Sequence, residues 1–394
     1  MRGSDRPVVS RSTPPLGGLA LLVCACGANH PGSDDEVPVT TGPTTTAEVT
    51  SEDSVTEPPP LQADPSIAIA ARDEDRRTLV VGDEHTCAIH EGRVLCWGSN
   101  TEGQLGDGRT ASRARPEPVS GLEAVDALAA GDDHTCALTR GAVRCWGRAA
   151  WDRATAPPRH PTPIAIAGIG DAAGIAAGGP TTCVRRADGQ VLCFDGSGQL
   201  GAMALPASAL AVQLGTSHGC ARLQGGKMAC WGSNSFGQIG SPDPNATQVV
   251  ELPFDTVARI ATGSGHSCAL LRSGEVLCWG DHRPDRRVDR SIGPPSRRAD
   301  HASELVAGGS HTCITAAGNS QCREVVQERV WPGGARGRAI SPEVALPEGT
   351  TDVALGTEHR CVRAAGRILC WGNSGAGQCG VTEAYLETPA AVSF

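Results

Sequence analysis

Aromatic side chains are scarce in this chain of 394 residues: Phe, Trp and Tyr together make up 3% of it, with one Tyr and four Phe. A body this large with so few big rings must be held together by something besides ring packing. No segment of residues 77–394 sustains helical periodicity, which excludes helix bundles and coiled coils. No nucleophile–base pairing, metal triad or Gly-rich phosphate loop in its proper context can be found, which argues against an enzyme. Net charge is also nearly absent where it would matter. The total is −9, but residues 27–71 hold eight carboxylates and no Lys or Arg, and 1–26 carry +2, leaving 72–394 at −3. A near-neutral body lacks the basic footprint of a nucleic-acid binder.

What the chain does have is Gly (50), Pro (28) and Cys (17). Gly and Pro amount to about a fifth of the sequence and favour many turns. So many cysteines point to an oxidising compartment unless they bind metal or do redox chemistry.

The N-terminus begins with Arg2, Arg6 and Arg11, followed by the apolar run 16–23. That run is too short to span a bilayer and has the form of a secretory signal. Val23-Cys24-Ala25-Cys26 resembles the lipobox of bacterial lipoproteins, with Cys26 as the acylated residue, since Cys24 would put bulky Val23 at the cleavage position. This implies an exported lipoprotein of the bacterial outer membrane or cell surface, with plain secretion as the alternative. Residues 27–76, acidic and rich in Thr and Pro, cannot bury enough apolar surface to offset their ordering entropy and are expected to form a disordered tether.

Apart from Cys24, Cys26 and Cys379, the cysteines form seven pairs. They are Cys87 with Cys96, Cys136 with Cys145, Cys183 with Cys193, Cys220 with Cys230, Cys268 with Cys278, Cys313 with Cys322, and Cys361 with Cys370. Successive pairs start 49, 47, 37, 48, 45 and 48 residues apart, the period of a propeller or solenoid unit. Each unit has the pattern Gly-x-x-His-x-Cys, a turn, an apolar residue, x, then Cys-Trp-Gly, as in residues 82–98. Where the cysteines are nine apart the midpoint is Glu91-Gly92, Arg140-Gly141, Ala317-Gly318 or Ala365-Gly366, the sequence of a type I′ turn. Where they are ten apart the loop has three residues ending in Gly189, Gly226 or Gly274, as a bulged turn prefers. Both lengths set the two cysteines directly across a hairpin, close enough for a disulfide. Metal ligation is the competing reading, but such pairs lack the close spacing of ordinary zinc sites. No metal or cofactor is expected.

These residues resemble a known family. His-x-Cys…Cys-Trp-Gly followed by Ser-Asn-x-x-Gly-Gln-Leu-Gly is similar to the regulator of chromosome condensation repeat, with Cys at two usually apolar or small positions. The full form stands at 99–106 and 233–240, a variant at 373–380, and a half at 196–201. The resemblance covers about 78–394 and implies an all-β, seven-bladed propeller of four-stranded blades. The C-terminal residues 388–394 align with 117–122, so the last strand is expected to complete the blade begun near Leu79.

His85, His134, His218, His266, His311 and His359 recur two before the first Cys, and Thr181 replaces them in the third unit. A residue repeated six times around a ring suits blade-to-blade hydrogen bonding better than catalysis. Trp97, Trp146, Trp231, Trp279 and Trp371 are expected to pack in the core or between blades, Gln of the Gly-Gln-Leu-Gly turn to cap backbone groups, and Cys379 to be a buried free thiol. Residues 148–163, 281–304 and 323–341 replace the turn motif in their units. They carry Trp151 and Trp331, and the last two alone hold ten Arg, among them Arg286, Arg287, Arg297, Arg298, Arg336 and Arg338, a composition typical of binding hot spots. The bland alternative is a solvated surface with Asp neutralising the Arg.

The sequence therefore favours a monomeric, non-enzymatic, extracytoplasmic scaffold that binds a protein or glycan, acidic in character, and not nucleic acid, and meets the membrane only through its lipid. Nucleotide exchange on a small GTPase, the activity for which the family is named, is the first alternative; a propeller hydrolase or lyase is the second.

Overall fold

The computed structural model describes residues 74–148, 159–194, 200–281, 295–324, 328–330, 336–338 and 344–394. Its strands form seven four-stranded antiparallel sheets from residues 79–118, 127–165, 172–202, 209–252, 257–299, 302–345 and 350–391. These are blades one to seven, and their first strands together line a central channel. In blade six a separate two-stranded hairpin, Glu328–Val330 with Arg336–Arg338, stands between the third and fourth strands. Among the described residues no helix is long and apolar enough to cross a membrane.

Burial explains the strand sequences. The second strand of blade two, His134–Thr139, is buried at five successive positions, because neighbouring blades cover both of its faces. First strands converge on the axis and favour small residues, as in Ala127–Ala130. Fourth strands, such as Tyr385–Ala391, lie at the rim and are mostly exposed. The core is accordingly divided among the blade interfaces. Between blades one and two, for example, Val80, Cys96 and Leu105 pack against Leu128, Ala137 and Trp146.

The hairpins have the expected register, and each pair of cysteines is directly opposed across its hairpin. From blade one to blade seven, Cys87 is bonded to Cys96, Cys136 to Cys145, Cys183 to Cys193 and Cys220 to Cys230. Cys268 is likewise bonded to Cys278, Cys313 to Cys322 and Cys361 to Cys370, and the Cα atoms of the seven pairs are 3.9–4.2 Å apart. Glu91 and Gly92 both have positive φ, 48° and 75°, as a type I′ turn requires. In blade four both Gly225 and Gly226 do, so that loop also uses its second Gly.

Closure of the ring departs from expectation. The C-terminal strand pairs within blade seven, and blade one is complete without it. Among the described residues the ring begins at a first strand and ends at a fourth, so all seven blades are whole units. The ring is closed instead by side chains. Thr78 Oγ1 donates to Asp352 at 2.9 Å, and Phe394 stacks on His90 with ring centroids 4.1 Å apart and meets the edge of Trp97.

Candidate functional site

The repeated His, Thr, Gln and Trp form the joints of the ring. Gln104 Oε1 accepts from Glu102 N at 2.9 Å and so shapes its own turn, as expected. The Gln104 backbone carbonyl meanwhile accepts from the next blade: Trp146 Nε1 at 2.8 Å and Thr135 Oγ1 at 3.2 Å. With its proton directed there, the Thr135 oxygen is left to accept, and His85 Nε2 donates to it at 2.9 Å. The same set recurs with Gln238, Ser267, Trp279 and His218, and with Gln378, Thr86, Trp97 and His359. Gly82 and Gly131 begin the motif because the imidazole lies against them: a Cβ on either would sit 2.2 Å from a ring carbon of His85 or His134. Burial drives the imidazole pKa down to about 3 at His85, His218 and His311, and to about 4 at His134 and His359. Neutral, enclosed imidazoles of this kind join blades. They are not placed to act on a ligand.

The hydroxyl partner between His and Cys escaped the sequence reading. Its signal is there, because Thr or Ser stands at that position in five of the seven units. Where Thr181 stands in place of His, the next blade has Gly219 opposite, and a Cβ there would meet Leu214 at 2.6 Å and Trp231 at 2.7 Å. Where Arg360 replaces the hydroxyl, its guanidinium lies over Trp371, 5.5 Å from the ring centroid.

The two ends of the channel differ. First and third strands run the same way, so the first-to-second-strand turns and the third-to-fourth-strand loops share one end, called here the loop face. On that face the turns of blades seven, one and two carry Glu358, Asp83, Glu84, Asp132 and Asp133. Burial, with Asp83 and Asp133 nearby, pushes Asp132 up to about 6. Burial and the neighbouring carboxylates also raise Glu84. At the other end, residues 74–77 enter the channel and leave about 120 Å³ of space along it, below the roughly 300–1,000 Å³ of small-molecule sites. Beside Glu74 and Arg77 a cavity of about 740 Å³, within that range, lies among blades five, six and seven.

The expected Arg–Trp patch lies partly outside the described residues: Arg286, Arg287, Trp151 and Trp331 are there. Arg336 and Arg338 fall on the extra hairpin of blade six, opposite Val330 and Glu328. Arg297 and Arg298 are on the fourth strand of blade five, Ser296–Ala299. Arg297 is engaged there by Glu275 at 3.3 Å and by Asp300, which is the neutralised arrangement weighed above. Cys379 is buried and unpaired, and burial pushes its thiol up to about 11.

No curated protein sequence matches the chain. Two models described as the Regulator of chromosome condensation (RCC1) repeat do match, one over residues 91–138 and the other over 77–104, 210–238 and 257–283. Among solved structures the chain is similar to Prp20p of Saccharomyces cerevisiae, with TM-score 0.67 and 19% identity over 81% of this chain and 88% of that one. It is similar to human WBSCR16, with TM-score 0.63 and 14% identity over 77% and 95%. It is also similar to the CRINKLY WD40 ectodomain of the Arabidopsis thaliana receptor kinase ACR4, with TM-score 0.51 and 17% identity over 80% and 99%. The chain is thus a seven-bladed β-propeller in which blades one, two, four and five carry segments that match RCC1 repeats.

Proposed function

We propose that the chain is a non-enzymatic, extracytoplasmic binding scaffold, held to a membrane by a lipidated Cys26 and presenting its loop face to a protein or glycan. The observation that carries this reading is the set of seven disulfides, one in every blade, since so many bonded pairs belong to an oxidising compartment. Residues 1–26 then serve as signal and lipobox, and the acidic run that follows gives reach. Prp20p has binding properties to Gsp1p and histones, and the ACR4 propeller is an ectodomain, so the fold serves recognition in other chains. An acidic partner suits this loop face in one sector only. Carboxylates line the turns of blades seven, one and two, whereas the Arg-rich segments follow the third strands of blades five and six.

Cys26→Ser should move the protein from the membrane to the soluble envelope fraction with its fold intact; unchanged fractionation would reject the lipid anchor. Arg286→Ser combined with Arg287→Ser should weaken capture of the partner from envelope extracts more at low salt than at high salt. Arg297→Ser should do less, because Glu275 and Asp300 already hold that side chain. If the first pair leaves affinity and its salt dependence unchanged, blades five and six are not the binding sector.

A further inference from the structure

Three arginines break the repeat. Two residues after the first Cys, the second strand carries Ile89, Leu138 and Leu270 in blades one, two and five, but Arg363 in blade seven, where it donates to the Ile89 carbonyl at 2.9 Å, and, side by side in blades three and four, Arg185 and Arg222. The latter two point at the end of the channel where the first strands begin, and both meet a carboxylate there. Arg185 holds Asp75 through two bonds, 2.7 Å and 3.1 Å, with Asp75 fully enclosed. Arg222 holds Glu74 through two more, 3.3 Å and 3.1 Å. Gly174 makes room for Asp75, whose carboxyl carbon lies 2.2 Å from where a Cβ would stand.

The backbone and the remaining side chains extend the grip around the ring. Ile175 N donates to the Asp75 carbonyl at 3.0 Å, Ile260 N to Glu74 Oε1 at 3.3 Å, and Gln213 Nε2 to the Glu74 carbonyl. Arg77 Nη1 donates to the Val353 carbonyl at 3.2 Å and Nη2 to Gln213 Oε1 at 3.2 Å, while the Arg77 carbonyl accepts from Leu128 N at 2.8 Å. Four consecutive residues thus touch blades two, three, four, five and seven.

We infer that residues 74–77 are a built-in ligand of the channel, their two carboxylates seated in an arginine cradle at the end opposite the loop face. A buried arginine left without its carboxylate is strongly unfavourable, whereas the matched pair is close to neutral. The arginines of blades three and four therefore make sense only with the acidic segment docked. The docking holds for the chain whether or not it is tethered.

Trypsin tests the docking directly, because Arg76 and Arg77 are its own cleavage sites. In the full wild-type chain, brief digestion should leave a disulfide-bonded body whose N-terminus lies upstream of Glu74. In the double variant Glu74→Gln with Asp75→Asn, and separately in Arg185→Met with Arg222→Met, the segment should come free. Cleavage after Arg76 or Arg77 should then be at least about tenfold faster, since cutting tracks the population of the open form. A body that stays intact in both variants separates release of the segment from unfolding; if the body of either variant is digested, Glu74→Gln alone gives the same readout with less disturbance. Equal cleavage after Arg76 and Arg77 in wild type and variants overturns the inference. Membrane fractionation of Cys26→Ser has no bearing on this result, so the two ideas fail separately.

Discussion

The Gln104 carbonyl accepts both an indole and a hydroxyl hydrogen bond from the neighbouring blade, and Thr135 is where the joint is most vulnerable. Thr135→Val keeps shape and volume but removes both hydrogen bonds of the hydroxyl. His85 Nε2 is then a buried donor without an acceptor, and Gln104 keeps only Trp146. Leaving a buried polar group unsatisfied costs about 1–3 kcal/mol. Urea unfolding should show a lower midpoint with an unchanged slope, the product of the drop and the slope accounting for that amount. Arg140→Ala, at an exposed turn position, should not reproduce the loss. If Thr135→Val is as stable as wild type, the joint owes its stability to packing and not to these hydrogen bonds.

Within the blade, the hairpin disulfide is the unit that compensates for scarce aromatics. Closing a loop of ten residues contributes roughly 2–3 kcal/mol if chain entropy dominates. Replacing both Cys220 and Cys230 by Ala should therefore lower the unfolding free energy by at least that much, in a blade whose joint with blade three already lacks both His and hydroxyl. Peptide mapping without reduction should return the seven pairs. Native alkylation near pH 8 should spare Cys379, whose buried thiol is pushed up to about 11. Rapid labelling of Cys379 would show that blade seven opens. The hairpins were legible in the sequence because cysteine spacing and loop length change together, and few other folds force that. Cys136 and Cys145 are nine apart over a two-residue turn, whereas Cys183 and Cys193 are ten apart over three. Blade count and the Gln cap followed from the same repeat. Closure is not legible in the same way, because matching repeat phases at the two ends of the ring suit a shared blade as well as seven whole units. The channel segment escaped because its acids continue the composition of 27–73. What marks it out is outside the segment, in Arg185 and Arg222 at positions that are apolar in blades one, two and five.

At the scale of the whole ring, the buried imidazoles make stability a function of pH. Five of them, His85, His134, His218, His311 and His359, sit at about 3 or 4 in the folded protein, with burial the largest cause in each. In the unfolded chain each returns to roughly 6.5. Folded values below unfolded ones mean that the unfolded state binds more protons between about pH 4 and 6.5, so stability rises with pH across that window and is lost as pH falls through it. At pH 5 the folded imidazoles are all still neutral, so the loss depends on the unfolded value alone. It amounts to about 2 kcal/mol per histidine, on the order of 10 kcal/mol for the five together. That matches the whole unfolding free energy of an ordinary domain. Asp132, raised to about 6 on the loop face, and Glu84, raised beside it, work in the opposite direction. Two partly solvated groups do not offset five. The urea midpoint should therefore fall steadily from pH 7.5 to pH 5. His359→Asn should flatten that slope by about one proton's share while lowering the midpoint at pH 7.5, since Asn cannot reach Thr86 as the imidazole does at 2.9 Å. A midpoint level from pH 7.5 to pH 5 would mean that the folded ring accommodates charged imidazoles, and the neutral Nε2–H joints described above would then be wrong.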